Sequence, residues 1–216
     1  MSTVASGLGD PPSELHGFPA AGPVTRLHRL SEWPGSWWFA SVEADDAPGG
    51  RFDLTAPLGT CYLAEDDVRG ALVEKLLRLP TKVVVAERLQ ELFHTVVTVR
   101  SSPATADLTA AAATGFGVNA ELHSTTNYAR PRKWAKALRR AGWRGVRHRL
   151  RGDPTQALAG RALFGAAGLH RRAPAGMRTT AQPLDTDLAV RLLTELGVEV
   201  RPIPAQVPII SPEPRA

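Results

Sequence analysis

Apolar and polar residues alternate most cleanly over His94–Arg100, where Val96 and Val97 supply β-branched bulk, and the alternation predicts a strand. Shorter stretches of the same kind predict strands over Arg26–Leu30, Trp37–Ser41, Gly59–Ala64 and Thr81–Glu87. Val68, Leu72, Leu76 and Leu79 instead recur at helical spacing, which predicts a helix over Asp66–Leu79, capped by Asp66 and ended by Pro80. Glu74 lies two residues after Leu72, about 200° round that helix, and so off its apolar stripe. A second helix fits Pro131–Ala141, with Pro131 at the first position, Gly142 beyond the end, and Trp134, Leu138 and Ala141 as its buried stripe. A third fits Asp185–Leu196, with Leu188, Leu192, Leu193 and Leu196 inward and Gly197 as its stop. Strands over Gly145–Leu150, Leu158–Phe164 and Val198–Ile203 complete the pattern. Strands outnumber helices without strict βαβ alternation, so the fold class is α+β.

The two ends break the pattern. Met1–Pro23 is rich in Gly, Pro, Ser and Ala and reads as a flexible arm. Pro202–Ala216 holds five prolines and reads as an extended tail. The folded domain is therefore expected over residues 24–201. At 216 residues, 43% of them hydrophobic, the chain can bury one sizeable core. No apolar run reaches the ~18 residues of a membrane helix, and no basic stretch leads into an apolar one at the start. The expectation is a cytoplasmic protein with no membrane partner. Cys61 is the single cysteine, which excludes an intrachain disulfide and a cysteine-based zinc site. No two of the six histidines stand at metal-like spacing, so no metal is expected.

The net charge of +5 is local. Ten basic residues crowd into Arg130–Arg151, and the remainder is net acidic, with 16 basic residues against 21 acidic. Such a run reads as a solvated face, or as a surface for an anionic substrate or an acidic protein. Aromatic residues are not interleaved as stacking platforms, so nucleic acid is not the expected partner.

Candidate chemistry concentrates elsewhere. There is no Walker-type phosphate loop and no nucleophile elbow, and the "TGFG" of Thr114–Gly117 is too short for a dinucleotide fingerprint. The segment Pro48–Glu74 reads PGGRFDLTAPLGTCYLAEDDVRGALVE. Two glycines let the backbone bend tightly before Arg51 and bring its guanidinium to a ligand. Tyr62 sits mid-strand, Glu74 lies on the non-core face of the next helix, and Arg29 lies in a strand that can run alongside. Cys61 alternates with Tyr62, so it faces the other way as a buried thiol. On the residues alone, Glu74 reads first as a solvated charge, Arg51 can be a turn residue pairing with Asp53, and Tyr62 reads equally as a core tyrosine. His28 and His123 read as structural or solvated, and Trp37, Trp38 and Trp134 as core.

This segment resembles the RES domain family, named for its Arg, Glu and Ser residues. The "GGRFD" turn, the "GTCYLAED" strand and the "ALVE" helix end follow one another in that family's order and spacing. Downstream, "NYARPRKWAKALRRAGWRGVRHRLRGDP" and "ALFGAAG" resemble its second half, so the resemblance covers Thr25 to Gly168. It implies an ADP-ribosyltransferase-like split β-sheet with flanking helices, a cleft for NAD as substrate, and a cognate antitoxin, since the family's members are toxins of bacterial toxin–antitoxin pairs. It implies that Arg51 is the family's Arg and Glu74 its Glu, both catalytic, with Arg29, Arg51 and Tyr62 binding the NAD. The family's Ser falls on Leu150, which has no hydroxyl, and Thr155 is the nearest one downstream.

The chemistry fits those residue types. Arg29 and Arg51 suit a pyrophosphate, because guanidinium bonds phosphate in a bidentate fork. Breaking the nicotinamide–ribose bond builds positive charge on the sugar, which the Glu74 carboxylate can stabilise. Tyr62 can stack on nicotinamide or bond a phosphate. If inorganic phosphate is the acceptor, it needs a cationic pocket, which Arg147, Arg149 or Arg151 can supply. Three readings follow: NAD phosphorolysis or hydrolysis, protein ADP-ribosylation, and a non-catalytic module that binds NAD or ADP-ribose.

Overall fold

The computed structural model describes residues 7–35, 37–65, 67–77 and 83–203. Strands β1 (Arg26–Ser31), β2 (Trp37–Phe39), β3 (Ser41–Val42), β4 (Leu54–Thr55) and β5 (Leu58–Ala64) come first. Helix α1 (Val68–Leu76), strand β6 (Val83–Val85) and helix α2 (Ala86–Gln90) follow. Next are β7 (Phe93–Val99), β8 (Thr105–Asp107), a 3-10 turn over Ala111–Phe116, and helices α3 (Glu121–Ser124) and α4 (Ala129–Arg140). The chain continues through β9 (Gly145–Arg149), β10 (Ala159–Ala166), β11 (Gly168–His170), β12 (Met177–Pro183), α5 (Thr186–Glu195) and β13 (Glu199–Arg201).

Seven strands form the main sheet in the order β12-β7-β1-β5-β10-β9-β8. Its two halves are well paired internally. β1 runs antiparallel to β7 along its whole length, and β5 does the same with β10. Between the halves, β1 and β5 share one registered pair, His28 with Ala64. Beyond it the strands part. Helices α1, α2 and α5 cover the β1 side of one face, where Leu30, Leu72, Leu89 and Leu193 pack, and α4 covers the β5 side, where Phe52, Trp134, Leu138 and Phe164 pack. On the opposite face Leu27, Trp37, Phe39, Cys61 and Leu63 pack together, so the alternation of Cys61 and Tyr62 is realised and the thiol is fully buried. The expected α+β architecture with flanking helices is the one observed.

Several boundaries differ from the pattern. The cap of α1 is Asp67, whose carboxylate accepts from the Arg69 N–H at 2.6 Å. Asp66 and Leu79–Pro80, the expected ends of this helix, lie outside the described residues. The strand expected over Thr81–Glu87 is Val83–Val85, paired in parallel with β13, and the chain turns helical at Ala86. Thr81 and Lys82 lie outside the described residues. In α4 the buried stripe is Trp134, Ala135 and Leu138 together with Arg132, while Ala141 is exposed. Strand β12 carries no apolar alternation because it is a polar edge strand, largely open to solvent.

The expected loose arm is the largest departure. Residues 7–23 pack against the body: Leu8 and Phe18 enter the α4 core, and Ala20 bridges Ala106. The Trp134 indole N–H donates to the Gly9 carbonyl at 3.1 Å, and Lys133 pairs with Asp10 at 3.0 Å. Arg130 also donates to the Leu8 carbonyl. Lone apolar residues among Gly and Pro carry no period, so a segment held by isolated anchors reads as loose. Residues 1–6 and 204–216, and with them most of the expected tail, lie outside the described residues. Leu8→Ala is expected to cost about 2–5 kcal/mol in urea unfolding, as for other fully buried leucines. An unchanged midpoint would show that this segment is not part of the cooperative core.

Candidate functional site

Where β1 and β5 part, a cleft of about 1290 Å³ opens. It is larger than the roughly 300–1,000 Å³ typical of pockets for drug-sized ligands. Arg29, Arg51, Tyr62 and Glu74 all line it, from four different elements or turns. Five basic side chains face it (Arg29, Arg51, Lys75, Arg151 and Arg171) against three acidic ones (Glu32, Asp53 and Glu74), which favours an anionic ligand.

Arg51 is placed by the turn before it. A Cβ on Gly50 would come within 2.6 Å of both the Asp53 carboxylate and the Tyr62 hydroxyl, so only glycine fits there. Arg132, almost wholly buried on α4, binds this loop from behind: its Nε donates to the Gly50 carbonyl at 3.0 Å, and its Nη1 to the Asp45 and Ala47 carbonyls at 2.7 and 2.6 Å. Arg51 itself is buried and donates to the His123 carbonyl, while its Nε has no hydrogen-bond partner among the described residues. Burial lowers its pKa, and neighbouring Arg151 adds to this, while the nearby charge of Glu74 opposes it.

Tyr62 departs from expectation. Its hydroxyl donates to Asp53 Oδ1 at 2.9 Å and accepts from the Phe52 N–H at 2.8 Å. Burial, then the Asp53 charge, push its pKa well above the usual value. With its one hydrogen engaged it cannot donate to a phosphate, so its contribution to the cleft is the ring. Arg29 crosses the seam, donating from Nη1 to Cys61 Sγ at 3.3 Å. Burial raises the thiol pKa and Arg29 works against that. Glu74 projects from α1 into the cleft, half-buried. Its neighbour Lys75 pairs with Glu32 at 2.9 Å, and Arg88 joins them. Burial acts to raise the Glu32 pKa, but the Lys75 hydrogen bond and the two cations bring it down to about 2.

The basic run resolves into separate structural duties. Arg147 pairs with Glu65 at 2.8 Å beside buried Arg161, which binds the other oxygen of Glu65 at 2.7 Å. Arg149 donates to the Ala157 carbonyl at 3.0 Å. Of the three arginines expected to be able to hold a phosphate, Arg151 alone lines the cleft. Leu150, aligned with the family's Ser, is fully buried in the core against α1 and α5. Thr155 bonds Asp153 at 2.6 Å in its own turn. Hydroxyls that line the cleft belong to Ser31, Thr60, Tyr62 and Tyr128.

Sequence reasoning missed Tyr128, the stacking of His28 on His94, and the rim. The two imidazoles stack with an Nδ1···Nε2 separation of 3.1 Å. Trp33 and Trp38 are 72% and 52% exposed at the cleft, so Trp38 is not the core residue its strand suggested. Two adjacent tryptophans cannot share one face of a strand, and Trp37 takes the core side. Among the described residues no group of three His, Cys, Asp or Glu side chains could hold a metal, and no helix is long and apolar enough to cross a membrane.

His123 supports Arg51 from behind. Its ring Nε2 lies 3.2 Å from the Leu108 carbonyl, and its Nδ1 accepts from the Arg149 N–H at 3.3 Å, which requires the neutral ring. Burial, then the charge of Arg51, lower its pKa from 6.5 to about 4. Between those values the unfolded chain holds a proton that the folded one refuses, so stability rises with pH. Unfolding free energy should therefore fall as pH drops from about 6.5 to about 4, and this group adds nothing further below that. His123→Asn should flatten the slope in a pH series of urea titrations. The same slope in that variant would show that the ring is not held neutral.

The RES domain family matches residues 23–159, a span that includes the four sequence-predicted cleft residues as well as Tyr128 and Arg151. A chain of the M. tuberculosis MbcT-MbcA toxin–antitoxin complex shares the fold with a TM-score of 0.55 at 17% identity, covering 81% of this chain and 92% of that one. No curated protein matches the sequence. The fold is thus the ADP-ribosyltransferase-like one, its sheet split at the β1–β5 seam, and the chain belongs to the RES domain family.

Proposed function

We propose that the protein consumes NAD by breaking its nicotinamide–ribose bond. The observation that carries this reading is the meeting of Arg51 and Glu74, from a turn and a helix, in one cation-rich cleft of a RES-family chain. Arg29 and Arg51 hold the pyrophosphate. The bond from ribose carbon to nicotinamide nitrogen breaks with both electrons going to nitrogen, and nicotinamide leaves neutral. The sugar carbon becomes cationic, and the half-buried Glu74 carboxylate stabilises it more strongly than it would in open water. An oxygen of inorganic phosphate or of water then bonds that carbon, water losing a proton as it does. The Tyr62 ring forms part of the wall against which the nicotinamide lies.

A partner follows from the same relationship. The solved neighbour is a toxin–antitoxin complex, and the solvated Trp33, Trp38 and Leu169 at the cleft mouth give an antitoxin an apolar surface to cover.

The test is a time course of NAD with purified protein, with and without inorganic phosphate, read by product mass. Loss of NAD to a phosphorylated ADP-ribose identifies phosphorolysis, and phosphate-independent loss identifies hydrolysis. Radiolabel retained on a protein band identifies transfer to protein instead. Glu74→Gln, which keeps the shape and removes the charge, should slow NAD loss roughly a hundredfold or more. An unchanged rate would remove Glu74 from the reaction.

A further inference from the structure

Two cleft side chains that the sequence reading did not connect, Tyr128 and Arg151, meet beside Arg51. Arg151 Nη1 donates to the Tyr128 hydroxyl at 2.7 Å, and the Arg151 guanidinium stands 5.9 Å from that ring's centre. Arg132, anchored in the loop behind, stands 5.8 Å from the same ring and fixes it from a second direction. Because the Tyr128 oxygen accepts from Arg151, its own hydrogen is available to donate elsewhere.

The local charge is unbalanced. Arg151 stands close enough to Arg51 to disfavour its charge, which Glu74 favours. The carboxylates nearby have other partners. Glu32 is held by Lys75 and Arg88, and Glu65 by Arg147 and Arg161. Asp53 accepts from Gly50 N–H and Tyr62, and Asp153 from Thr155 and the Leu158 N–H. Glu74 supplies one negative charge against the two guanidiniums. A tetrahedral dianion would answer these features: it neutralises the like-charge pair, accepts from the guanidiniums, and accepts from the Tyr128 hydroxyl.

We propose that Arg51, Arg151 and Tyr128 form an oxyanion subsite within the cleft that takes a phosphate group. For the source of that phosphate the proposal rests on the NAD reading: it is either free inorganic phosphate or one of the two phosphates of the dinucleotide. Arg151 is the residue that distinguishes this subsite from the rest of the cleft.

Calorimetric titration of the full chain with inorganic phosphate and, separately, with ADP-ribose tests it. Arg151→Gln should weaken binding of the relevant ligand at least roughly tenfold, as expected for loss of a charged hydrogen-bond donor. Arg151→Lys keeps the charge without the fork and should fall between. Tyr128→Phe leaves the packing in place and should weaken binding less than Arg151→Gln, which keeps the proposal testable if the arginine variant does not fold. Phosphate that binds alongside saturating ADP-ribose, and is lost in Arg151→Gln, identifies a free-phosphate site. Phosphate that competes with ADP-ribose, with both weakened in Arg151→Gln, identifies the dinucleotide's own phosphate. Variants that bind both ligands as the wild type does overturn the proposal and leave the NAD reading intact. A wild type that binds phosphate through Arg151 but neither binds nor consumes NAD keeps the subsite and overturns the NAD reading. A wild type that binds neither ligand overturns both.

Discussion

A ladder that holds for one residue pair and then stops organises this molecule. β1 is satisfied along its outer edge by β7, and β5 along its outer edge by β10, so each strand stays extended where the two part beyond His28 and Ala64. On β5 the inner edge at Thr60 is instead taken up by Ala40, which exchanges two backbone hydrogen bonds with it at 2.9 and 2.8 Å. The same opening lets side chains from β1, β5, α1 and the Gly49–Gly50 turn converge on one volume. A fully zipped sheet would have filled that space with backbone.

Around the opening, buried arginines provide the rigidity. Arg132 ties the glycine turn to α4, and Arg161 and Arg147 share Glu65 between β5, β10 and β9. Removing one member of such a buried set leaves its partner's charge or carbonyls uncompensated, at a cost of about 3–5 kcal/mol for an ion pair. The arginine-rich stretch is therefore mostly internal wiring. It fastens residues 7–23, the 45–50 loop and the sheet edge, and presents one guanidinium, that of Arg151, to the cleft.

The sequence made the site more legible than its surroundings. Arg51, Tyr62 and Glu74 sit in one continuous segment whose turn, strand and helix each carry a local signal, so their order along the chain foretold their meeting in space. Glu74 could be placed off the apolar stripe by helix geometry alone. Tyr128 and Arg151 carry no such signal, because their proximity depends on how α4 and β9 dock and no period within either element reports it. The packing of residues 7–23 was illegible for a related reason, since single anchors such as Leu8 leave no repeat. Leu150 shows the converse limit: alignment put it at a reactive position, whereas just past β9 it continues the alternation of buried Val146 and His148 into the core.

The distribution of indoles gives the protein an intrinsic optical reporter. Trp37 and Trp134 are sealed in apolar surroundings, while Trp33 and Trp38 stand in water at the cleft mouth. The most red-shifted part of the emission therefore comes from the cleft, with half-buried Trp143, packed against the α4 core, as the one other partly solvated indole. Whatever covers that mouth, small molecule or protein, should shift this component to shorter wavelength and shield it from a collisional quencher, while the light from the interior stays unchanged.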